Sequence, residues 1–242
     1  MAEGSALTDG TKPFGVIATF VIGTVVLLVA QLCGIAALSG WYGLNLKEVG
    51  ALSTNGGAIV LFIFISAPVQ VALLALAASH KASATQYLGY KLPRRGELVA
   101  AVLVLAALII VGDTVSWLAG RHIVDRFQSD IYQAAKSANL LPLLLIAIAV
   151  LIPISEETLF RGFLFRGWLR SSRDAWPVIL ITAGIFAIIH VQYDWFLIAQ
   201  VFVFGVFFGW VRWATGSTIL TMLLHGLVNI EGMIETMLAA GS

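Results

Sequence analysis

The chain has 242 residues, of which 60% are hydrophobic and only 11% are charged, and its mean hydropathy is +0.96. About a quarter of the residues in ordinary soluble domains are charged, so this composition excludes a soluble globular protein and predicts a polytopic membrane protein surrounded by lipid. The net charge is +1, and nothing in this balance indicates a nucleic acid as a partner.

Long apolar runs follow one another along the chain, separated by short polar segments. A polar leader over 1–13 precedes a single integral-membrane domain over 14–242. The predicted helices are 14–38, 57–79, 97–119, 140–168, 176–193, 195–213 and 217–239. The predicted fold class is therefore an all-α transmembrane bundle of about seven spans, and a short extra helix in a loop would allow eight.

Basic residues are distributed unequally between the two sides of this bundle. With the N-terminus inside, one side receives Lys12, Lys81, Lys91, Arg94, Arg95, Arg166, Arg170, Arg173 and Arg212, and the other receives Lys47, Arg121, Arg126 and Lys136. The positive-inside rule therefore predicts a cytoplasmic N-terminus, and we expect the plasma (inner) membrane as the location.

The fourth predicted helix contains two adjacent glutamates in the segment SEETLFRG. Glu157 and Arg161 are four residues apart on one face, so they are expected to form a structural ion pair. Glu156 lies about 100° away around the helix and cannot share that arginine equally. Because an unmatched carboxylate in a membrane costs roughly 2.5–3.5 kcal/mol, Glu156 is expected to face a cavity and to act as a general base.

Two of the four histidines lie in predicted helices that follow these glutamates. The segment FAIIH ends at His190, and the segment TMLLHGLVNIEG places Thr221, His225 and Asn229 on one helical stripe. Each feature alone is also explained by helix packing. Together with Glu156 they predict one convergent site, in which a glutamate assisted by histidine deprotonates water while an imidazole and an amide stabilise an oxyanion. The other two histidines, His80 and His122, are predicted to be exposed in loops.

Covalent catalysis is disfavoured, because the sequence has no nucleophile-elbow serine and its single cysteine, Cys33, lies in the first apolar run. Two histidines and a glutamate are ligand types of catalytic zinc, but an H-E-x-x-H motif is absent from the sequence. A zinc site spread over three helices, with Glu156, His190 and His225 as ligands, stays open as an alternative.

The segments EETLFRG, FAIIH and HGLVN together resemble the E-E-x-x-x-R, F-x-x-x-H and H-x-x-x-N/B motifs of the CPBP intramembrane proteases. This family comprises type II CAAX prenyl endopeptidases and bacteriocin-processing or self-immunity proteins. The three motifs lie in order within a core of about 140–239. The resemblance implies an intramembrane endopeptidase whose catalytic residues are Glu156, His190, His225 and Asn229, with Glu157 and Arg161 as supporting residues.

By this resemblance, Glu156 activates water with His190, and His225 with Asn229 stabilises the oxyanion. The family is often described as metalloproteases, which implies Zn²⁺, whereas water activated by glutamate alone fits the same residues and is the interpretation we favour. The expected substrate is a membrane-associated protein or peptide, either of CAAX type or a peptide precursor.

Two points weigh against this interpretation. In the predicted helices, His190 lies near the outer end of the fifth helix while Glu156 lies nearer the inner side. Either the fifth helix extends or tilts past Tyr193, or the segment VQYDW dips into the bundle. The rival function is a non-catalytic membrane module, either an ion- or proton-coupled transporter or an immunity or scaffold protein, because proton relays also use buried acids and histidines.

Overall fold

The computed structural model of the protein describes residues 12–43, 55–121 and 124–241. Within these residues every regular element is helical, which confirms the predicted all-α class. In this part of the chain the helices are α1 (Val16–Tyr42), α2 (Gly56–Ser79), α3 (Ala84–Tyr87), α4 (Arg95–Leu118), α5 (Arg126–Ser137), α6 (Leu141–Trp168), α7 (Ala175–Ile188), α8 (Trp195–Thr215) and α9 (Thr218–Gly241).

Seven of these helices occupy the seven predicted ranges, and α3 and α5 are short helices in the loops. Among the described residues, five helices (α1, α2, α4, α6 and α8) are long and apolar enough to cross a membrane by length and composition. Helix α7 has 14 residues and is therefore about 21 Å long, shorter than a hydrocarbon core of about 30 Å. Helix α9 has 24 residues but carries the polar stripe. The polytopic helical bundle is confirmed, with five spans supported in place of the seven or eight predicted.

Helix α7 ends five residues earlier than the predicted range of 176–193, at Ile188. A turn follows, closed by the hydrogen bond from the Tyr193 N–H to the His190 carbonyl (3.0 Å). Asp194 then caps α8 by accepting hydrogen bonds from two backbone amides. The predicted end is wrong because apolar residues continue past the helix terminus and neither glycine nor proline marks it.

Helix α6 lies at the centre of the bundle and packs against α1, α2, α7, α8 and α9. All residues over 157–167 are buried, although three of them are charged. Such charges are stable inside a bundle only when neighbouring helices supply partners. The position of α6 therefore determines which side chains of the other helices reach its carboxylates.

Helix α6 is wound as a π-helix over Ala147–Leu151 and again over Thr158–Leu164. Pro153 has no N–H to donate to the carbonyl four residues earlier, so a regular α-helical ladder is interrupted at that point. The wider turns make carbonyl groups of α6 available to other helices: Asn229 of α9 donates from Nδ2 to the Ile148 carbonyl (2.8 Å). Such π-helical turns occur frequently at functional sites.

Candidate active site

Glu157 and Arg161 form the predicted ion pair within α6. Arg161 Nη1 lies 2.9 Å from Glu157 Oε1, and both side chains are fully buried. Arg161 also donates to the carbonyl of Gly205 on α8 (2.9 Å), and its guanidinium carbon lies 4.6 Å from the centre of the Phe186 ring. The pair thus ties α6 to α7 and α8, as expected of a structural ion pair.

His225 of α9 lies between the two glutamates. Its Nδ1 is 3.1 Å from Glu157 Oε1, and because an ionised carboxylate only accepts, Nδ1 carries the hydrogen. Its Nε2 is 4.0 Å from Glu156 Oε2. The ring stacks on Phe208 with 5.6 Å between centroids. The sequence predicted only Arg161 as the partner of Glu157, so this link through His225 was missed.

Glu156 has the unmatched environment that its helical position predicts. Its Oε2 is buried and has no hydrogen-bond partner among the described residues, although 26% of the side chain remains exposed. The exposed part of the Glu156 side chain is accessible to water, whereas the Glu157 side chain is fully buried. Glu156 and Glu157 are the same residue type, so the difference in their exposure and pairing comes from their surroundings.

His190 lies just beyond the end of α7 and is oriented by its neighbours. Its Nδ1 is 2.6 Å from the Phe186 carbonyl, and because a carbonyl only accepts, Nδ1 carries the hydrogen and Nε2 keeps its lone pair when the ring is neutral. The ring packs on the Phe186 ring (4.8 Å between centroids) and stacks on the Tyr193 ring (6.0 Å, 15° between planes). This tautomer is the one suited to accept a proton at Nε2.

Asn229 lies one turn after His225 and donates from Nδ2 to the carbonyl of Ile148, in the first π-helical segment (2.8 Å). Gly226 allows this contact, because a Cβ atom at that position would lie 2.6 Å from the Ala149 carbonyl oxygen. The amide group of Asn229 has two N–H bonds, and the second is left to donate elsewhere.

Glu156, His190, His225 and Asn229 line one cavity of about 440 Å³. The remaining wall is mainly isoleucine and phenylalanine from α2, α5 and α6. The expected difference in depth between Glu156 and His190 does not arise, because α7 ends early and the turn after it lines the same cavity. Of the two explanations, the segment VQYDW dipping into the bundle is the one observed.

A second cavity of about 170 Å³ adjoins the first and shares His190, Tyr193, His225 and Asn229 with it. Its wall includes three carboxylates whose oxygens lie within 4.8 Å of one another, from Asp113, Glu231 and Glu235. Sequence reasoning missed this cluster. The spacing of Glu231 and Glu235 by four residues on α9 was a detectable signal, whereas the approach of Asp113 from α4 was not.

Tyr193 is a further cavity residue that sequence reasoning did not single out as functional. It packs edge-on against Phe127 of α5, with 6.4 Å between ring centroids. Burial raises the pKa of the Tyr193 phenol to about 12, and the negative charges of Asp125 and Glu156 act in the same direction. At neutral pH the side chain is therefore an uncharged phenol.

The zinc alternative was tested on the positions of the donor atoms. Ligands at 2.0–2.1 Å around a tetrahedral zinc ion lie about 3.3 Å from one another. Glu156 Oε2 and His225 Nε2 are 4.0 Å apart, and the donor atoms of Glu156, His190 and His225 do not all come within 4.8 Å of one another. These residues, as arranged, do not fit a zinc ion.

His80 and Cys33 lie away from the site, as the sequence predicts. His80 is exposed at the end of α2, and its Nδ1 lies 2.9 Å from the Leu76 carbonyl. Cys33 is a half-buried free thiol in α1. His122 and Lys47 fall outside the described residues.

Residues 138–230 match the family model described as type II CAAX prenyl endopeptidase Rce1-like. This match confirms the predicted resemblance to the CPBP intramembrane proteases over that part of the chain. All four residues at the cavity lie within the matched range, and so do the Glu157–Arg161 pair and Pro153.

Two curated relatives share part of the sequence. An uncharacterised 24.3 kDa protein of Escherichia coli is 36% identical over 105 residues, which cover 42% of this chain and 48% of the relative. The UPF0177 protein YxdF of Lactococcus lactis subsp. lactis (strain IL1403) is 29% identical over 85 residues, which cover 35% of this chain and 45% of the relative. The chain thus spans about half the length of the curated relatives it matches. No solved structure matches the chain significantly.

Proposed function

We propose that this chain is an intramembrane endopeptidase, because residues 138–230 match the Rce1-like family model and several helices are apolar enough to cross a membrane. It hydrolyses a peptide bond of a membrane-associated substrate with water activated by Glu156. The observation that carries this proposal is the cavity shared by Glu156, His190, His225 and Asn229, beside a buried network that holds α6 and α9 together.

In the first step, a water molecule in the cavity donates a hydrogen bond to the Glu156 carboxylate. As the water oxygen forms a bond to the carbonyl carbon of the substrate, Glu156 takes one proton and the carbonyl electrons move to the oxygen. His190 accepts the second hydrogen of this water at Nε2, which orients the attacking lone pair. General-base assistance of this kind contributes about 10²–10⁴ in rate.

In the second step, the oxyanion requires donors in a site from which bulk water is excluded. The second N–H of Asn229 supplies one donor. His225 supplies another when Nε2 carries a hydrogen in addition to the one on Nδ1. The intermediate then collapses: the C–N bond breaks, the carbonyl reforms, and the proton held by Glu156 passes to the amine that leaves.

No step in this scheme passes through a metal ion, since the donor atoms do not converge as zinc requires. The apolar wall of the cavity suits an apolar segment of the substrate, either of CAAX type or from a peptide precursor. We place the protein in the plasma membrane with a cytoplasmic N-terminus, in accordance with the distribution of its basic residues.

The proposal is tested with the purified full chain in phosphatidylcholine–phosphatidylglycerol vesicles. The probes are a pool of internally quenched apolar peptides and a farnesylated C-a-a-X peptide, with cleavage sites read by mass spectrometry. We expect cleavage that is lost in Glu156→Gln while the variant remains folded. Absence of cleavage, together with proton or ion flux across the same vesicles, would replace this proposal with the transporter.

A further inference from the structure

We propose that Tyr193 is a positioning residue, which holds the plane of the His190 imidazole by ring stacking. The inference rests on the proposed function, because it gives Tyr193 a role through His190. The comparisons and the family motifs assign no role to this tyrosine, which lies three residues beyond the F-x-x-x-H motif.

The turn between the two residues sets up the contact. The hydrogen bond from the Tyr193 N–H to the His190 carbonyl (3.0 Å) closes a turn of four residues, and it brings both side chains to the same cavities. The rings are nearly parallel, with an angle of 15° between their planes and 6.0 Å between centroids. Offset stacking of this kind is favourable for aromatic rings.

Two different contacts of His190 control two different degrees of freedom. The bond from Nδ1–H to the Phe186 carbonyl determines which ring nitrogen is left for the cavity. It does not fix the tilt of the ring, because a single hydrogen bond permits rotation about its own axis. His190 lies just beyond the last turn of α7, where its N–H bonds to the Ala187 carbonyl (3.1 Å) and its ring packs edge-on against the Phe186 ring of the same helix. The stack on Tyr193 supplies the constraint that comes from outside α7.

Tyr193 can act as a fixed surface because it is itself held on both sides. Phe127 of α5 packs edge-on against its ring. The next residue, Asp194, caps α8 and forms an ion pair with Arg121, which follows α4. The tyrosine is thus anchored to three helices, while the histidine that it contacts is anchored to one.

The ring of Tyr193 and its hydroxyl group make separable contributions. The phenol stays uncharged at neutral pH because burial raises its pKa to about 12. Substitution Tyr193→Phe therefore keeps the stacked ring without removing a charge, whereas Tyr193→Leu keeps apolar volume and removes the stack. If the ring stack orients His190, the Tyr193→Phe variant retains most of the turnover and the Tyr193→Leu variant does not.

The magnitude follows from the geometry that proton transfer requires. A displacement of about 1 Å at a catalytic group can lower the rate about 10²-fold. We therefore expect Tyr193→Leu to lower kcat by about 10²-fold with little change in KM, because the tyrosine orients the base and does not bind the substrate. Tyr132→Leu, which removes a buried tyrosine of α5 outside the cavity walls, is the matched control and leaves kcat per folded molecule unchanged.

The experiment is a cycle of wild type, Tyr193→Leu, His190→Ala and the double variant, assayed in vesicles with the quenched peptide pool under enzyme excess. We expect Tyr193→Leu to have its effect in the wild-type background and none in the His190→Ala background. Full activity of His190→Ala overturns the proposed function. An equal loss from Tyr193→Leu in both backgrounds, or no loss in either, overturns the positioning role alone.

A second readout requires no substrate. Nitrogen-15 spectra of histidine-labelled protein, with His190 assigned by its loss in His190→Ala, report which ring nitrogen carries the hydrogen. We expect the Nδ1–H tautomer in all three proteins, because the Phe186 carbonyl determines it, and a sharp His190 Nε2 signal in wild type and Tyr193→Phe that broadens in Tyr193→Leu, where the ring is free to tilt. A Tyr193→Leu spectrum identical to that of wild type contradicts the inference.

Discussion

Two adjacent glutamates of α6 lie on different sides of the helix and have different surroundings. One side is buried against other helices, and the other side faces a cavity. The closed side holds Glu157, fully buried and in contact with Arg161 and His225. The open side holds Glu156, which lines the 440 Å³ cavity and has 26% of its side chain exposed. The two glutamates thus have different roles because successive residues of a helix are about 100° apart and therefore have different neighbours.

This comparison shows that the buried charges of α6 form one assembly with two functions. The ion pair on the closed side fixes the distance between α6 and α9 through His225. That distance in turn determines where the Nε2 atom of His225 and the amide of Asn229 meet the cavity. A change on the closed side should therefore affect folding, and a change on the open side should affect turnover.

The largest expected effect is on the open side. Glu156→Gln keeps the shape of the side chain but removes the base, so we expect turnover to fall by about 10²–10⁴-fold. The thermal unfolding temperature in detergent should stay close to that of wild type, because the substituted oxygen had no partner to lose. Cleavage of the quenched peptide pool and unfolding are measured on the same preparation. A variant that cleaves at the wild-type rate would remove Glu156 from the mechanism.

The matched change on the closed side is Glu157→Gln. It leaves the buried Arg161 without its counter-charge, and breaking one partner of a buried ion pair costs about 3–5 kcal/mol. We expect a large fall in the unfolding temperature and in the yield of folded protein. Equal stability of Glu156→Gln and Glu157→Gln would show that the two sides do not differ as described.

Asn229→Ala tests the oxyanion site. Removal of one oxyanion donor costs about 10²–10³-fold in kcat. Since Asn229 also donates to the Ile148 carbonyl, the control is Gln70→Ala, which removes an equivalent bond to the Ser155 carbonyl of α6 away from the cavity. Both variants should lose some stability, and only Asn229→Ala should lose kcat. A similar kcat in the two variants would assign Asn229 a structural role only.

The smallest predicted effect concerns the approach of α9 to α6. Gly226→Ala places a methyl group 2.6 Å from the Ala149 carbonyl oxygen, so α9 must shift, and overpacking of this kind costs about 1–3 kcal/mol. We expect a lower unfolding temperature and reduced turnover. Gly184→Ala on α7 is the control, because a Cβ atom there meets no atom within 4 Å. Equal behaviour of the two variants would mean that the close approach is unimportant.

Much of the fold follows from local pattern. Apolar runs located the seven long helices, and the spacing of four residues between Glu157 and Arg161 located their ion pair. The same spacing placed His225 and Asn229 on one stripe of α9, which the structure turns toward α6. These features depend on helix geometry alone, and a single sequence contains that information.

The features that were missed depend on tertiary contacts. His225 reaches both Glu156 and Glu157 only because α9 packs close to α6. This close packing depends on Gly226 and on the π-helical turns near Pro153. The early end of α7 depends on the turn that carries Tyr193, which apolar periodicity does not reveal.

The difference between the two glutamates can be measured in one experiment. A hydrophobic carbodiimide with an amine nucleophile modifies accessible carboxyl groups, and mass spectrometry locates the modified residues in the full chain in vesicles. We expect that Glu156 is modified, that cleavage falls in proportion to this modification, and that Glu157 stays unmodified while the protein is folded. Equal modification of both glutamates, or full cleavage by protein modified at Glu156, would contradict this expectation.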